Sequence, residues 1–335
     1  MWDASKCDLC GDCLVRCQYV HYDKDKAVAE IKLLMEGKET DILSKCVTCM
    51  ACLEYCPTGA EPFDLIVKMQ EKTGASPIYH GPGLKGLLDY IDKLPSEFVP
   101  GDPDKPILSH CVMEAFYPQG VTDSQIFEGM PVVRGKDYFC WIGALHGCEE
   151  SIVRKNAQKF IDTMSSLGRD IVFVHDDCYS MVHYLVKDYG ITVPFKYMHI
   201  VEYLRNYLRD HRGSITKLGK KVAYQRPCIS RYTPEKDGLI DEIFELIGVE
   251  RPQRKYEREN ALCCFTPSAD VFPELAADFR GRNLNDAIEC GSDALVTLCA
   301  GCDSALRGPA SQVGLPTIFL PNLCSMALGE KPWPK

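Results

Sequence analysis

The segments CDLCGDCLVRC (residues 7–17) and CVTCMACLEYCP (46–57) decide how the first part of this chain folds. Each has the spacing Cys-x2-Cys-x2-Cys-x3-Cys, and together they hold eight of the 19 cysteines among 335 residues. Such an excess of cysteine indicates disulfides or bound metal. Disulfide scaffolds belong to small secreted domains, and the first residues, MWDASKCDLC, show neither the basic nor the apolar region of a secretion signal. Bound metal is therefore the better interpretation.

The spacing of the two runs matches that of bacterial ferredoxins. Three thiolates two residues apart can reach three corners of a cuboidal cluster, and the fourth cysteine of each run binds the other cluster. A pair of zinc sites is the alternative, but zinc usually takes two CxxC pairs rather than two runs of four cysteines. The predicted ligand sets of two [4Fe–4S] clusters are Cys7, Cys10, Cys13 and Cys56 for the first, and Cys46, Cys49, Cys52 and Cys17 for the second.

Helices are predicted around the second run. Apolar residues recur at helical spacing from Val28 to Met35 and the pattern ends at Gly37, and a second helix is expected through FDLIVKMQEK (63–72). This part resembles the mostly helical two-cluster ferredoxin domain of the C-type subunits of heterodisulfide reductases and of succinate dehydrogenase iron–sulfur subunits. One departure is Gln18, which stands where proline usually follows the run.

Residues 77–106 carry six prolines and four glycines around the helical piece LKGLLDYIDKL (84–94). Such a composition is typical of a connector, and we expect a domain boundary here.

The rest of the chain contains an internal duplication. A shift of 124 residues aligns an amphipathic helix at 152–168 with one at 274–291, and a short apolar strand at 171–175 with one at 294–298. A strand and a lone cysteine open each copy, although Cys111 and Cys228 are offset by 117 residues. Alternating strands and helices indicate two α/β domains with parallel sheets. The residues aligned by the shift are Cys140 with Cys264, Cys178 with Cys302, Phe139 with Cys263, Trp141 with Phe265, and His175 with Cys299.

The second copy has a lone Cys228, then 34 residues, Cys263 and Cys264, another 34 residues, and Cys299-x2-Cys302. This pattern, together with VAYQRPC, ENALCC and DALVTLCAGCDSAL, resembles the cysteine-rich CCG domain. That domain is characteristic of heterodisulfide reductase B-type subunits and of the iron–sulfur subunits of glycolate, lactate and anaerobic glycerol-3-phosphate oxidation.

The resemblance implies a noncubane iron–sulfur cluster that cleaves a disulfide. Its implied ligands are Cys228, Cys263, Cys264, Cys299 and Cys302. A zinc site that uses four of these five thiols is the alternative. Phe265 replaces the glycine of the CCG pattern, where glycine permits positive φ or close backbone approach. The ring either walls the cluster and shapes a substrate pocket or belongs to the core.

The first copy is degenerate, because Phe139 and His175 occupy two of the cysteine positions. The cysteines of this copy could hold a further [4Fe–4S] or [2Fe–2S] cluster, with Cys148 as the fourth ligand. His175 is the alternative fourth ligand. If no cluster binds, the copy is a structural relic with buried thiols. The thiol set for such a cluster is Cys111, Cys140, Cys148 and Cys178.

The predicted architecture is multidomain. A helical ferredoxin domain (1–75) and a connector (76–106) precede a degenerate CCG repeat (107–212) and a complete CCG repeat (213–335).

Composition restricts the partners of the protein. A net charge of −9 without a cluster of basic and aromatic residues argues against nucleic acid. No apolar run approaches the roughly 20 residues that span a bilayer, so we expect a cytoplasmic protein, with a membrane partner still open. No GxGxxG or P-loop motif occurs, so a flavin-containing electron donor is expected on another subunit.

These features predict an oxidoreductase subunit that passes electrons through two [4Fe–4S] clusters to a noncubane cluster, which reduces or forms a disulfide or heterodisulfide. The alternative is an electron conduit for a partner 2-hydroxyacid or glycerol-3-phosphate dehydrogenase, without disulfide chemistry. A zinc-bearing scaffold is a third class. The presence of one complete CCG repeat, where the B-type subunits of methanogens have two, weakens the case for a methanogen-type substrate.

Overall fold

The computed structural model describes residues 1–334, apart from the side chain of Leu84. Lys335, the last residue of the predicted complete repeat, lies outside the described residues. Residues 1–75 form short helices joined by turns. The helices are α1 (Asp12–Val15), α2 (Lys24–Met35), α3 (Asp41–Lys45), α4 (Cys52–Tyr55) and α5 (Pro62–Thr73).

Both helices predicted in this part are confirmed. Helix α2 begins after Asp23, whose side chain accepts a hydrogen bond from the Lys26 amide at 2.8 Å and so caps the helix. It ends just before Gly37, which has a left-handed φ of 71°. The apolar faces of α2 and α5 meet in a core that includes Leu14, Ile31 and Ile66.

The connector contains more structure than its composition predicted. The expected helix is α6 (Pro82–Ile91). It is followed by β1 (Glu97–Val99), which pairs antiparallel with residues 132–134 at the edge of the first sheet. Gly135 permits this pairing, because a Cβ there would clash with the Pro95 carbonyl oxygen.

The first sheet has the strand order β1-β3-β2-β4-β5, and all its pairs except β1–β3 are parallel. The further strands are β2 (Ile107–Cys111), β3 (Val132–Arg134), β4 (Ile171–Phe173) and β5 (Tyr197–His199). The helices of this part are α7 (Glu150–Ser166), α8 (Asp176–Ser180), α9 (Val186–Asp188) and α10 (Ile200–Asp210).

The second sheet is entirely parallel and has the order β7-β6-β8-β9. Its strands are β6 (Lys220–Gln225), β7 (Val249–Glu250), β8 (Ala294–Thr297) and β9 (Thr317–Phe319). Its helices are α11 (Lys236–Ile247), α12 (Pro273–Glu289), α13 (Ala300–Gln312) and α14 (Leu320–Ala327). This order repeats β3-β2-β4-β5, so the predicted pair of α/β units with parallel sheets is confirmed. The antiparallel strand β1 was not predicted.

The two α/β units share one apolar core, which includes Val172 of β4, Leu204 of α10, Val222 of β6 and Phe244 of α11. In parallel sheets, the carboxyl ends of the strands lie at one edge, where such folds place their sites. Cys111 ends β2, and His175, Cys228 and Cys299 follow β4, β6 and β8 by two or three residues. The shared core therefore positions both sets of predicted ligands.

Among the described residues, no helix has the length and apolar character needed to cross a membrane.

Candidate metal centres

The structure places Cys56 beside the first three cysteines of the chain. Burial raises the pKa of Cys13 to about 12, and nearby thiolates add to this effect. Those thiolates belong to Cys56, Cys10 and Cys7; with Cys13 they are called the outer group. The amide of Ala60 donates to the Cys56 sulfur at 3.3 Å. Such N–H···S bonds stabilise a thiolate ligand, so the outer group suits a [4Fe–4S] cluster.

The other four ferredoxin cysteines line a common cavity. This inner group consists of Cys17, Cys46, Cys49 and Cys52. Thr48 and Met50, at φ 56° and 63°, turn the chain between successive cysteines, and the Thr48 amide donates to the Cys46 sulfur at 3.4 Å. Burial raises the pKa of Cys49 to about 12, and the positive charge of Arg231 opposes this rise. Cys17 of the first run thus lies with the second run in this cavity, which Cys13 of the outer group also lines.

The five cysteines of the CCG pattern line another cavity, of about 120 Å³. This CCG group consists of Cys228, Cys263, Cys264, Cys299 and Cys302. The sulfurs of Cys264 and Cys302 are 3.3 Å apart, and the Phe265 amide donates to the Cys263 sulfur at 3.3 Å. Hydrogen bonds from Cys263 and Cys302 lower the pKa of Cys264 well below its usual value.

Helix α13 carries two of these thiols at its N-terminus. Cys299 is its N-cap residue and Cys302 lies in its first turn. The positive end of a helix dipole favours thiolate there. Five thiols around one cavity exceed what a single tetrahedral metal needs.

Phe265 does not line this cavity. Its φ is 59°, so the position has the left-handed backbone that the glycine of the pattern would adopt freely. Its ring is fully buried, 5.7 Å from the Tyr19 ring and 6.0 Å from the Phe279 ring, centroid to centroid. The core interpretation therefore holds for Phe265. Its counterpart Trp141 repeats the backbone conformation, at φ 64°.

The wall opposite the CCG group comes from the connector and the first repeat. Leu88 and Ile91 of α6 and Met113 supply apolar surface, and His175 and Asp177 supply polar groups. The cavity is thus bounded by both repeats and covered by one helix.

The first repeat brings the thiols of Cys111 and Cys178 and the ring of His175 within 4.8 Å of one another. The sulfurs of Cys111 and Cys178 lie 3.4 Å and 3.6 Å from His175 Nδ1. Burial, with the nearby thiols of Cys111 and Cys140, raises the pKa of Cys178 well above its usual value. Burial would raise the pKa of Cys111, but hydrogen bonds from Cys178 and His175 lower it to about 5. Cys111, Cys140, Cys178 and His175 are called the first-repeat group.

Cys148 lies apart from this group. Its neighbours are Ser76 and the carboxylates of Glu149 and Glu71, and burial raises its pKa to about 12. The structure therefore brings His175, and not Cys148, to Cys111 and Cys178.

Three side chains between the inner and CCG groups were missed in the sequence. The Tyr19 hydroxyl accepts a hydrogen bond from the Cys263 amide at 2.9 Å. Arg231 Nε lies 3.4 Å from Glu54 Oε2. Each of these two residues lies inside or beside a cysteine motif. These contacts join residues more than 170 positions apart, so the sequence did not indicate them. The one feature that could have drawn attention was a charged residue inside or beside a cysteine motif.

Comparison with known proteins agrees with this arrangement. A family described as a 4Fe-4S dicluster domain matches residues 6–61, and the CCG family, described as a cysteine-rich domain, matches residues 222–307. A probable membrane-anchored ferredoxin of Chromohalobacter salexigens is 23% identical over 86% of this chain. The match covers 48% of that protein, so this chain spans about half of its length.

The crystal structure of a hypothetical protein from Helicobacter pylori has a TM-score of 0.58 to this chain at 14% sequence identity. The match covers 93% of this chain and 68% of the other, and it shows the fold alone. By its two matched domains and the cysteines they carry, the chain joins a 4Fe-4S dicluster domain to a CCG cysteine-rich domain, as heterodisulfide reductase-like iron–sulfur proteins do.

Proposed function

We propose that this chain is a subunit of a redox complex in which electrons pass from the outer group to the inner group and then to the CCG group, where a disulfide is reduced or formed. The observation that carries the proposal is the cavity of the CCG group. It brings five thiols together with the apolar side chains of Leu88, Ile91 and Met113 and the polar side chains of His175 and Asp177 around one space. The proposal also includes the predicted domain boundaries, which follow residues 75, 106 and 212.

In the proposal, [4Fe–4S] clusters on the outer and inner groups and a noncubane cluster on the CCG group supply one-electron transfers when bound. Reduction of a disulfide takes two electrons and two protons and yields two thiols. Leu88 and Met113 would contact the organic parts of the substrate and exclude water. His175 and Asp177 would hydrogen-bond its polar groups. Electrons would come from a flavin-containing partner.

The first-repeat group is proposed to hold one metal ion instead of a cluster. Zinc bonds of about 2.3 Å to sulfur and 2.1 Å to nitrogen, at tetrahedral angles, separate the two ligand atoms by about 3.6 Å. The sulfurs of Cys111 and Cys178 lie 3.4 Å and 3.6 Å from His175 Nδ1. Three thiols and one imidazole are also a common zinc ligand set.

The second candidate function is an electron conduit for a partner dehydrogenase. It is favoured by the likeness to a probable membrane-anchored ferredoxin, since a ferredoxin is an electron carrier. Under this alternative the CCG group would pass electrons to another carrier, such as a quinone, and the cavity would bind no substrate.

Metal analysis of anaerobically prepared protein tests the cluster assignment. We expect about 12 iron atoms per chain, four for each of three clusters, and one zinc. About eight iron atoms, with zinc in the CCG group as well, would show that the noncubane assignment is wrong.

Electron paramagnetic resonance (EPR) of the oxidised protein with added thiol then separates the two functions. We expect a thiol-dependent signal that Cys264→Ser abolishes while the ferredoxin signals remain. Cys290→Ser is the matched control, because Cys290 only donates to the Gln253 carbonyl and lies outside all four groups. Full iron content without any thiol-dependent signal would favour the conduit.

A further inference from the structure

Arg231 is a buried cation between the inner and CCG groups. It lies in the turn Cys228–Tyr232 that follows β6, and its side chain is 1% exposed. Its Nη2 donates to the Ala261 carbonyl at 2.7 Å, and its Nε lies 3.4 Å from Glu54 Oε2. A guanidinium buried this deeply is costly unless negative charge surrounds it.

Glu54 does not fully supply that negative charge. Its carboxylate already accepts two hydrogen bonds from Arg226, both at 2.8 Å. Two guanidiniums therefore share one carboxylate, and one positive charge remains in excess.

The excess charge lies between the segments that carry the two groups. Glu54, which Arg231 Nε approaches, lies in α4 two residues after Cys52 of the inner group. Ala261, whose carbonyl accepts from Arg231 Nη2, precedes Cys263 of the CCG group by two residues, and Arg231 itself follows Cys228 by three. Burial opposes the charge of Arg231, but in keeping with this position the thiolates of Cys228 and Cys49 raise its pKa above the usual value.

We propose that Arg231 is a shared counter-charge that raises the reduction potentials of the inner and CCG clusters together. The proposal rests on the proposed function for the presence of both clusters, but not on the disulfide reaction. An added electron makes a cluster more negative, and a nearby cation in a medium of low dielectric stabilises that state. Arg231 is a positioning residue, since it acts through the thiolate ligands.

Redox titration of the loaded protein, followed by EPR, tests this role. In Arg231→Gln we expect the equilibrium constant for one-electron reduction to fall about tenfold at both the inner and the CCG cluster, a shift of about 59 mV. The outer cluster should keep its potential, because Arg231 does not adjoin its thiols. Arg231→Lys keeps the charge and should keep both potentials near those of the wild type.

Arg254→Gln is the matched control. Arg254 is also 1% exposed in the second repeat, but it pairs with Asp286 and lies outside all four groups. Its loss should leave all potentials unchanged. If Arg231→Gln fails to fold, Glu54→Gln replaces it, and removal of that carboxylate should raise both potentials.

Unchanged potentials in Arg231→Gln, or a shift at only one of the two clusters, would overturn the proposal. Equal shifts in Arg231→Gln and Arg254→Gln would also overturn it, since they would reflect a general loss of structure. Shifts at both clusters in a protein that reduces no disulfide would support the role of Arg231 and refute only the disulfide reaction.

Discussion

At the scale of single residues, Phe265 shows how one position combines a backbone requirement with a packing role. The turn after the paired cysteines has φ 59°, which orients the Phe265 amide toward the Cys263 sulfur. Glycine adopts this conformation without strain, whereas other residues pay about 1–2 kcal/mol. The phenyl ring offsets that strain because it is buried between Tyr19 of the ferredoxin part and Phe279 of α12.

Phe265→Gly should therefore destabilise the protein, although it restores the family pattern. Loss of a buried phenyl ring costs about 3–5 kcal/mol and relief of strain returns about 1–2, so we expect a net loss of about 1–4 kcal/mol. Anaerobic denaturant unfolding measures this difference. Trp141→Gly, at the same φ but with a half-buried ring, should lose less. An increase in stability for Phe265→Gly would contradict the packing role.

At the scale of elements, His199 couples the start of α10 to the contact between the repeats. Its Nδ1 accepts from the Val201 amide at 3.2 Å and caps the helix, and Nε2 lies 3.4 Å from Asp176 Oδ1. Asp176 also pairs with the buried Lys236 of α11. Burial lowers the pKa of His199 to about 3. A protonated ring would also lose the acceptor that caps α10.

This shift predicts how stability depends on pH. The unfolded chain takes up a proton at His199 near pH 6.5, whereas the folded chain does so only near pH 3. The contribution of neutral His199 to the free energy of unfolding is therefore fully present above pH 6.5 and is lost as the pH falls below it. Between pH 7.5 and 5.5 the free energy of unfolding should fall by about 1.4 kcal/mol more in the wild type than in His199→Asn, which keeps a capping side chain. Denaturant unfolding across this range measures the difference.

His211→Asn, at the solvent-exposed end of α10, is the control and should behave like the wild type. Equal pH dependence in His199→Asn and the wild type would show that His199 titrates normally in the folded protein.

At the scale of the whole molecule, the connector closes the cavity that the two repeats form. Leu88 is 9% exposed and faces the CCG group from α6, while Tyr90 on the same helix is 49% exposed. The connector thus contributes a wall of the proposed substrate site as well as a link between domains.

Leu88→Trp should narrow the side of the cavity that α6 lines and lower the rate of disulfide reduction by reduced viologen at least tenfold, because the substrate loses the space beside the cluster. The EPR signals and iron content should stay unchanged. Tyr90→Trp, on the exposed face, should have no effect. An unaltered rate in Leu88→Trp would show that the substrate does not enter here, and loss of the CCG signal would show that the variant has disrupted the site.

Much of the fold followed from local patterns. Helices α2, α5, α7 and α12 and strands β4 and β8 lie where apolar periodicity predicted them, because each buries one continuous face. The strand β1 was missed, since three residues, EFV, among prolines carry no alternating pattern. Cys148 could not be separated from the other thiols of the first repeat, because spacing does not show which way a side chain points.

Cysteine spacing was sufficient to establish the two ferredoxin runs, the CCG pattern and the duplication, since ligands close in sequence must reach one cluster through short loops. Tertiary structure alone decided what lies between the groups. It placed His175 beside Cys111, Phe265 in the core and Arg231 between Glu54 and the Ala261 carbonyl. These contacts join residues far apart in the chain, and they form only when the ferredoxin part packs against both α/β units and buries their charges together.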